Sequence, residues 1–222
     1  MKKKNLLWVL LILQLVSFGQ NEVMNTFNSM RREIFNLNLG NQDDGVAGSP
    51  YLSEEFTKAT FYPKNKPAVE SDTRLNYYQS RFEFKIEKDL YMVDPAVIDS
   101  VRMNDCIFVF KTFEVQGNSD VRTVERIGRS EKGTLYKYTE SVFKPEVKAI
   151  GYTEPEPASF KWEDPVYLVE TGGEIIMLTN LNKFIDHFPG KESDLKKFIK
   201  SEKIKKNDPY GLMLLLKYAD KL

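Results

Sequence analysis

The spacing of hydrophobic residues divides the chain into a helical beginning, a long β-type middle and a helical end. Between residues 22 and 39, apolar side chains recur every three or four positions with charged residues between them, and Gly40 follows. This pattern predicts an amphipathic helix that ends at the glycine. From about residue 56 the period changes to two, which is typical of strands with one buried face.

The alternation is clearest at residues 81–87, where Phe82, Phe84 and Ile86 point one way and only charged residues point the other. We expect a strand whose charged side faces solvent. Residues 106–115 are apolar on both sides, which favours a central position in the sheet. Weaker strand patterns occur at residues 59–62, 74–78, 90–93, 97–103, 121–127 and 134–143.

Four prolines interrupt the alternation in residues 144–165. Because proline cannot donate a hydrogen bond to a strand ladder, this segment is predicted to be an extended loop or a sheet edge. The strongest turn signal in the chain follows directly. Residues 166–170 and 174–178 flank Thr171-Gly172-Gly173, and two glycines tolerate the positive φ angles of a tight hairpin.

Three apolar stripes at helical spacing close the chain, at residues 181–188, 195–199 and 212–219. Ser193 is expected to cap the second helix, and Asp208 with Pro209 to begin the third. Strands with short connections followed by helices predict an α+β fold with a mostly antiparallel sheet, arranged as a meander, a sandwich or a partial barrel. We expect one α+β domain over residues 20–222, with a helix at 20–40, a β-rich body at 56–178 and two to three short helices at 180–222.

The first 19 residues have the three parts of a cleavable secretory signal peptide. Three lysines precede an apolar run at residues 6–16, and Ser17 and Gly19 place small residues before a cleavage site at Gln20. The run is shorter than the roughly 20 apolar residues that span a bilayer. The pattern predicts an exported protein that is periplasmic, associated with the outer membrane or extracellular.

Charge and cysteine content agree with a soluble exported chain held together by its core. Without residues 1–19 the chain has 29 Lys and Arg against 32 Asp and Glu, a formal charge of −3, which gives no basic signature for nucleic acid. Cys106 is the only cysteine, so neither an internal disulfide nor a lipid-modified N-terminal cysteine can form.

Residues 48–56 read Gly-Ser-Pro-Tyr-Leu-Ser-Glu-Glu-Phe, and this segment resembles the GSPYL(N/S)EEF-type opening of a family of exported Bacteroidota proteins. Further similar segments are residues 61–62, 74–78, 166–178, 188–191, 195–200 and 216–218, so the resemblance covers residues 48–222. It implies an exported location and a shared fold. It implies no activity, and therefore no catalytic residues.

Most familiar catalytic sets are absent from the sequence. With His187 as the only histidine, a multi-histidine zinc site or an H-E-x-x-H helix cannot be completed. Cys106 and His187 could form a nucleophile and base if the fold joined them, but a cysteine that begins an apolar strand usually behaves as a small buried hydrophobe. The phosphate-binding and nucleophile-elbow glycine motifs are also missing. We predict no catalytic, cofactor-binding or metal-binding residues.

Acidic residues offer two weaker candidates. The loop at residues 41–45 has carboxylates and a glycine but not the ligand spacing of a calcium loop, so we interpret it as solvated. A glycosidase needs two carboxylates at a fixed separation, which the sequence cannot show. The residues that could supply such a pair are Glu54, Glu55, Asp94, Asp164 and Glu170.

Basic and aromatic residues have both structural and functional interpretations. Lys196, Lys197, Lys200 and residues 203–206 could meet anionic lipid or glycan, but they fit better as the solvated backs of amphipathic helices. Aromatic residues could line a ligand groove, although strand packing already explains them. These residues are Phe61, Tyr62, Tyr77, Tyr78, Tyr91, Tyr136, Tyr138, Tyr152 and Trp162.

The first hypothesis is a non-catalytic exported cell-envelope protein that binds a protein or an envelope polymer. One alternative is a secreted or periplasmic hydrolase with a carboxylate or Cys/His site, and another is an accessory subunit of an outer-membrane assembly. No nucleic-acid partner, and no transmembrane span after signal cleavage, is expected. A deep cleft with two close carboxylates, or Cys106 beside His187, would favour the enzyme.

Overall fold

Eleven strands form one antiparallel sheet in the computed structural model of the protein, which describes residues 31–33, 46–86, 89–148 and 154–222. The sheet order is β1-β5-β4-β3-β2-β6-β7-β8-β9-β12-β13, and β10 and β11 form a separate two-stranded sheet. The strands before the chain midpoint are β1 (Arg31–Glu33), β2 (Thr57–Pro63), β3 (Val69–Asn76), β4 (Arg81–Ile86), β5 (Asp89–Val93), β6 (Ile98–Met103) and β7 (Cys106–Val115). The later strands are β8 (Asn118–Arg129), β9 (Gly133–Tyr138), β10 (Ser141–Lys144), β11 (Ser159–Trp162), β12 (Val166–Thr171) and β13 (Glu174–Met177).

The sheet curls into a half-barrel, and contacts between residues on distant strands show this. Phe82 of β4 and Phe108 of β7 lie four places apart in the sheet order, yet their ring centroids are only 5.4 Å apart. A flat sheet would separate these strands by about 19 Å. Ser80, in the turn before β4, also hydrogen-bonds Thr123 of β8 through both its hydroxyl and its carbonyl oxygen. We call the concave surface that carries Phe82 and Phe108 the inner face.

Three short helices end the chain, namely α1 (Asn182–Ile185), α2 (Glu192–Ser201) and α3 (Pro209–Asp220). They pack against Leu135 of β9 and Val169 of β12, whose side chains are almost completely buried. Asp208 caps α3 by accepting the Tyr210 N–H at 3.1 Å, and Pro209 occupies the first turn, as the sequence predicts. No helix among the described residues is long and apolar enough to cross a membrane.

The strand predictions are confirmed where the structure describes the chain. Each alternating segment contains a strand, β7 is central in the sheet, and Gly172 and Gly173 adopt φ angles of 58° and 83° in the β12–β13 hairpin. Among its described residues, the proline-rich segment 144–165 holds the last residue of β10 and all of β11, and these two strands pair with each other outside the main sheet. The fold is thus α+β with a mostly antiparallel sheet and helices at its C-terminal end.

Three expectations need correction, and two others fall outside the described residues. Ser193 does not cap α2, because the chain enters the helix earlier, at Glu192, with Lys191 in the capping position and no side-chain cap. The charged side of β4 is not simply solvent-exposed, because Glu83 is only 3% exposed. Of the helix predicted over residues 22–39, only Arg31–Glu33 is described, and it is a strand paired with β5. The predicted signal peptide and the loop at residues 41–45 lie outside the described residues.

Candidate functional site

A pocket of about 310 Å³ opens at one end of the inner face. Its wall is formed by the segment before β2, the end of β3, the turn between β6 and β7, the start of β7, the middle of β8 and the end of β9. Apolar side chains supply much of this wall, and a few polar groups converge in it, which is the usual make-up of a small-ligand site. The lining residues that the argument uses are Leu52, Tyr77, Phe108, Cys106, Glu125 and Lys137.

Strand register places Glu125 and Lys137, two charged side chains of the pocket, beside Phe108. Phe108 of β7 lies opposite Glu125 of β8, and Glu125 lies opposite Lys137 of β9, so all three share the inner face. The Lys137 Nζ is 3.3 Å from the Glu125 Oε2. Cys106, two positions before Phe108 on the same side of β7, interacts with the same carboxylate. Glu125 and Lys137 therefore neutralise each other inside the pocket.

The electrostatics of the pocket keep its titratable hydroxyl and thiol protonated. Burial raises the pKa of Cys106, and a hydrogen bond to Glu125 together with the carboxylate charge raises it further. Burial and the charge of Glu125 also raise the pKa of Tyr77 to about 12. Because the thiolate is the nucleophilic form of cysteine, this environment works against covalent catalysis by Cys106.

The segment that resembles the exported family builds one edge of the pocket. Tyr51 donates its hydroxyl to the Glu83 carboxylate at 3.0 Å, and the Arg74 guanidinium lies 3.8 Å from the centre of the Tyr51 ring. The centre of the Phe56 ring lies 4.8 Å from the same guanidinium. This arrangement, which we call the Arg74 clasp, holds residues 51–56 against β3 and β4. Residues 51–56 and Arg74 therefore meet in space, and their contacts support the pocket edge.

The structure separates Cys106 from His187. The His187 Nδ1 lies 3.0 Å from the Lys183 carbonyl oxygen, and its Nε2 lies 3.3 Å from a Glu174 carboxylate oxygen. These contacts belong to α1 and the β12–β13 hairpin, whereas Cys106 lines the pocket on β7. Nothing in the described residues joins the two as nucleophile and base.

The candidate glycosidase carboxylates occupy different places. Glu55 lines the pocket, while Asp164 lines another cavity. Asp94 accepts the Ala96 N–H at 2.9 Å in a turn, and Glu170 is bound by Lys111 and Tyr136 at 2.7 Å and 2.6 Å. For Glu54 the backbone carbonyl accepts from Arg74 at 3.5 Å. Of these five residues, Glu55 and Asp164 line different cavities, so no two of them face each other across a described cavity as glycosidic chemistry requires.

Aromatic residues divide between packing and exposure. Phe61, Tyr136 and Tyr138 are buried, as the packing interpretation predicts. Tyr77 and Tyr91 pack at the margin of the core. Tyr62, Tyr78 and Trp162 are between 37% and 39% exposed, and Tyr152 lies outside the described residues. The lysines of α2 and of the following loop, Lys196, Lys197, Lys200, Lys203, Lys205 and Lys206, are exposed.

The sequence analysis missed Glu125 and Lys137, the two charged residues at the centre of the pocket. Each stands at an inner-face position of a strand whose neighbouring inward positions are apolar or small. A charged residue at an otherwise apolar inward position was the signal available in the sequence. Only the register of β8 and β9 shows that the two charges form a pair. Among the described residues, no group of three or more His, Cys, Asp or Glu side chains could hold a metal ion.

Comparison of the chain with protein-family models, with curated proteins and with solved structures found no match.

Proposed function

We propose that this chain is an exported, non-catalytic cell-envelope protein that binds a neutral, mainly apolar group of a protein or envelope polymer in the inner-face pocket. The observation that carries the proposal is the pairing of Glu125 with Lys137 in a wall that otherwise combines apolar side chains with Glu55 at its exposed edge and with Arg74, which is paired with Glu83. Because Glu125 and Lys137 already satisfy each other, a charged ligand gains little from either of them. A neutral group can fill the pocket and leave the pair intact.

Binding is favoured over hydrolysis by the state of the polar groups. The Cys106 thiol is held protonated, and the Glu125 carboxylate is occupied by Lys137 and Cys106. Neither residue is free to act as a nucleophile or as a general base. The hydrolase alternative would require a second catalytic group in the pocket. Glu55 is the remaining carboxylate of the wall, and it lies on the exposed segment before β2.

Export is supported by the sequence of residues 1–19, and the single cysteine is compatible with it. A fold that forms no internal disulfide is indifferent to the oxidising conditions outside the cytoplasm. The test is fractionation of cells that produce the full chain, followed by N-terminal sequencing of the product. A mature chain that begins at Gln20 outside the cytoplasm is expected, and an uncleaved cytoplasmic product would overturn this part of the proposal.

The binding test uses Leu52, a residue of the pocket edge that is 73% exposed. Purified peptidoglycan, lipopolysaccharide and solubilised outer-membrane proteins are each tested for co-sedimentation or capture. Leu52→Asp should remove binding, because it places a charge at the entrance of an apolar pocket. Tyr210→Asp is the matched control, since Tyr210 is also 73% exposed but lies on α3 outside the pocket.

Equal binding by the wild type and Leu52→Asp would contradict the pocket as the site. Failure of all three envelope fractions to bind would contradict the envelope partner. Release of a cleaved product from any of them would contradict the non-catalytic assignment.

A further inference from the structure

The inner-face pocket holds more hydrogen-bonding capacity than the protein itself uses. Among the described residues, the Lys137 Nζ has the Glu125 carboxylate as its only hydrogen-bond acceptor, at 3.3 Å. An ammonium group has further N–H donors, and a carboxylate has further lone pairs. Both side chains keep part of their surface open, 32% for Lys137 and 23% for Glu125. Unused donors and acceptors therefore remain within reach of a ligand.

Strand alternation directs these two groups to the same place. Neighbouring residues of a strand point to opposite faces, so Lys137 lines the inner-face pocket while Tyr138 lines a separate cavity on the other face of β9. Glu125 shares the inward position of Lys137 through the β8–β9 register. The pair therefore presents an acceptor and a donor, side by side, to whatever fills the pocket.

Tyr77 adds a hydroxyl that the protein leaves without a partner. The residue is partly buried and lines the same pocket, and its hydroxyl forms no hydrogen bond with any described residue. Burial, and then the charges of Glu125 and Cys106, raise its pKa to about 12, so the hydroxyl lies near these two lining residues and stays protonated at neutral pH. A partly buried hydroxyl normally has a hydrogen-bond partner, and here the pocket is where one can approach.

These polar groups narrow the neutral ligand that the proposed function requires. A hydrocarbon would remove water from Glu125 and Lys137 without replacing its hydrogen bonds, which costs free energy. A ligand with two neighbouring hydroxyl groups replaces that water. One hydroxyl donates to Glu125 while the adjacent one accepts from Lys137, and the ion pair stays intact.

The rest of the wall suits the remaining surface of a sugar ring. Leu75 and Phe108 are buried apolar side chains of the wall, and they can pack against the C–H groups of the ring. Ser53 and Asn104 add exposed, uncharged polar side chains at the pocket edge. The volume of about 310 Å³ is at the lower end of the range for small-ligand sites, which is about 300–1,000 Å³. It fits one sugar unit better than a longer stretch of polymer.

Resting on the proposed function, we propose that the inner-face pocket binds one neutral sugar unit of an envelope polymer through two neighbouring hydroxyl groups. One hydroxyl donates to Glu125, the adjacent one accepts from Lys137, and the Tyr77 hydroxyl bonds a further oxygen of the sugar. The C–H groups of the ring supply the apolar surface that packs against the wall. This assignment selects a polymer, and not a protein, as the partner.

The test is isothermal titration of the full chain with the methyl glycosides of glucose, galactose and mannose. All three are neutral, and together they present both cis and trans neighbouring hydroxyl groups. Cyclohexane-1,4-diol is the matched comparison, because it is a neutral ring whose two hydroxyl groups are not adjacent. At least one glycoside should bind, and the diol should bind at least about tenfold more weakly.

Tyr77→Phe is the sharpest variant, because its hydroxyl contributes no hydrogen bond to the described fold. It should weaken glycoside binding by about fivefold and leave the free energy of unfolding unchanged. Lys137→Met should weaken binding by about tenfold or more. Lys58→Met is the matched control, since Lys58 forms a cross-strand ion pair with Asp72, at 3.5 Å, and neither residue lines the pocket. Circular dichroism of each variant shows whether the β-sheet is retained.

Binding of none of the three glycosides, or equal binding of the diol, overturns the sugar assignment. Wild-type affinity in both Tyr77→Phe and Lys137→Met overturns the site. The glycoside that binds should also displace the chain from peptidoglycan or lipopolysaccharide, and displacement from outer-membrane proteins alone overturns the polymer as partner.

The two proposals fail in different ways. Capture of an envelope fraction that depends on Leu52, without glycoside binding, overturns this inference and leaves the proposed function standing. Glycoside binding without capture of any envelope fraction contradicts the envelope partner and leaves sugar recognition in the pocket standing.

Discussion

Arg74 and Glu83 lie opposite each other on β3 and β4 and form an ion pair of 2.8 Å between Nε and Oε2. The Glu83 side chain is 4% exposed and that of Arg74 is 18% exposed. The Asn76 amide and the Tyr51 hydroxyl also donate to the same carboxylate. The sheet therefore buries a carboxylate whose hydrogen-bonding capacity is filled by residues from two separate segments of sequence.

Removing one partner of the Arg74–Glu83 pair should strongly lower the free energy of unfolding. Arg74→Met leaves Glu83 buried without its cation, so the free energy of unfolding should fall by about 3–5 kcal/mol. Tyr51→Phe removes the hydroxyl that donates to Glu83 and accepts from Arg74 and Asn76 but leaves the ion pair, so a smaller loss of about 1–2 kcal/mol is expected. Urea unfolding followed by circular dichroism measures both. A loss for Arg74→Met no larger than that for Tyr51→Phe would show that the Arg74 clasp is not a major source of stability.

Gly48 is required for two reasons that can be separated. Its φ angle is 76°, and a Cβ placed there would collide with the Phe160 carbonyl oxygen. Gly117 has a φ angle of 83° but open space around its Cα. Gly117→Ala should therefore cost about 1 kcal/mol for backbone strain alone. Gly48→Ala should cost at least about 2 kcal/mol, because strain and collision act together.

Those two variants are compared by thermal unfolding under identical conditions. Similar midpoints for Gly48→Ala and Gly117→Ala would mean that the contact between residue 48 and β11 relaxes at little cost.

Asp220, at the end of α3, holds the turn between β8 and β9. Its carboxylate accepts the Lys132 N–H at 2.8 Å, the Glu131 N–H at 3.2 Å and the Ser130 hydroxyl at 3.0 Å. Asp220→Ala should lower the free energy of unfolding by about 1–3 kcal/mol, because these donors lose a charged acceptor. Hydrogen exchange of the 131 and 132 amides should also accelerate. Protection of those amides that is unchanged in the variant would contradict this role.

The Lys111–Glu170 pair should make stability depend on pH. Burial raises the pKa of Glu170, but hydrogen bonds from Lys111 and Tyr136 outweigh it, so the net pKa lies below its ordinary value of 4.5. Burial lowers the pKa of Lys111, and the bond to Glu170 outweighs this, so its net pKa lies above 10.5. An acid whose pKa is lowered by folding stabilises the fold above the pKa that it has in the unfolded chain. A base whose pKa is raised by folding stabilises the fold below its unfolded-chain pKa.

The pair therefore contributes fully between about pH 4.5 and 10.5 and weakens outside that window. Lys111→Met should lower the free energy of unfolding by about 1–2 kcal/mol at pH 7. That difference from the wild type should shrink as the pH falls below about 4.5. Unfolding in guanidinium from pH 3 to 9 tests this. A difference that is the same at all pH values would show that lost packing, not charge, causes the effect.

The Cys106 thiol reports on the electrostatics of the inner-face pocket. Burial comes first among the causes that raise its pKa, followed by the hydrogen bond and charge of Glu125, while Lys137 lowers it. At pH 8, native Cys106 should react with iodoacetamide more slowly than in the unfolded chain. Glu125→Gln should speed the reaction, and Lys137→Met should slow it. Intact-mass spectrometry follows the single modification, and the opposite order of rates would contradict the described arrangement.

The periodic part of the fold was predictable because its cause is local. Alternation in residues 81–87 and the two glycines after Thr171 each require one strand or one hairpin, and both are present. The prediction that Ser193 caps a helix was wrong, because the first residue of a helix depends on the backbone conformation of the preceding turn. Of the site, the sequence showed Cys106 as an isolated cysteine but did not show that Glu125 and Lys137 meet beside it.

The sequence by itself determined the α+β class, the antiparallel strands and the helical end, since hydrophobic period and turn residues act over a few positions. Only the tertiary structure decided that β4 and β7 face each other, that Arg74 and Glu83 share a covered surface, and that two cavities lie on opposite faces of β9. These relationships depend on strand order and register across the whole sheet. Residues far apart in the chain become neighbours only when the sheet curls, and no local pattern encodes that distance.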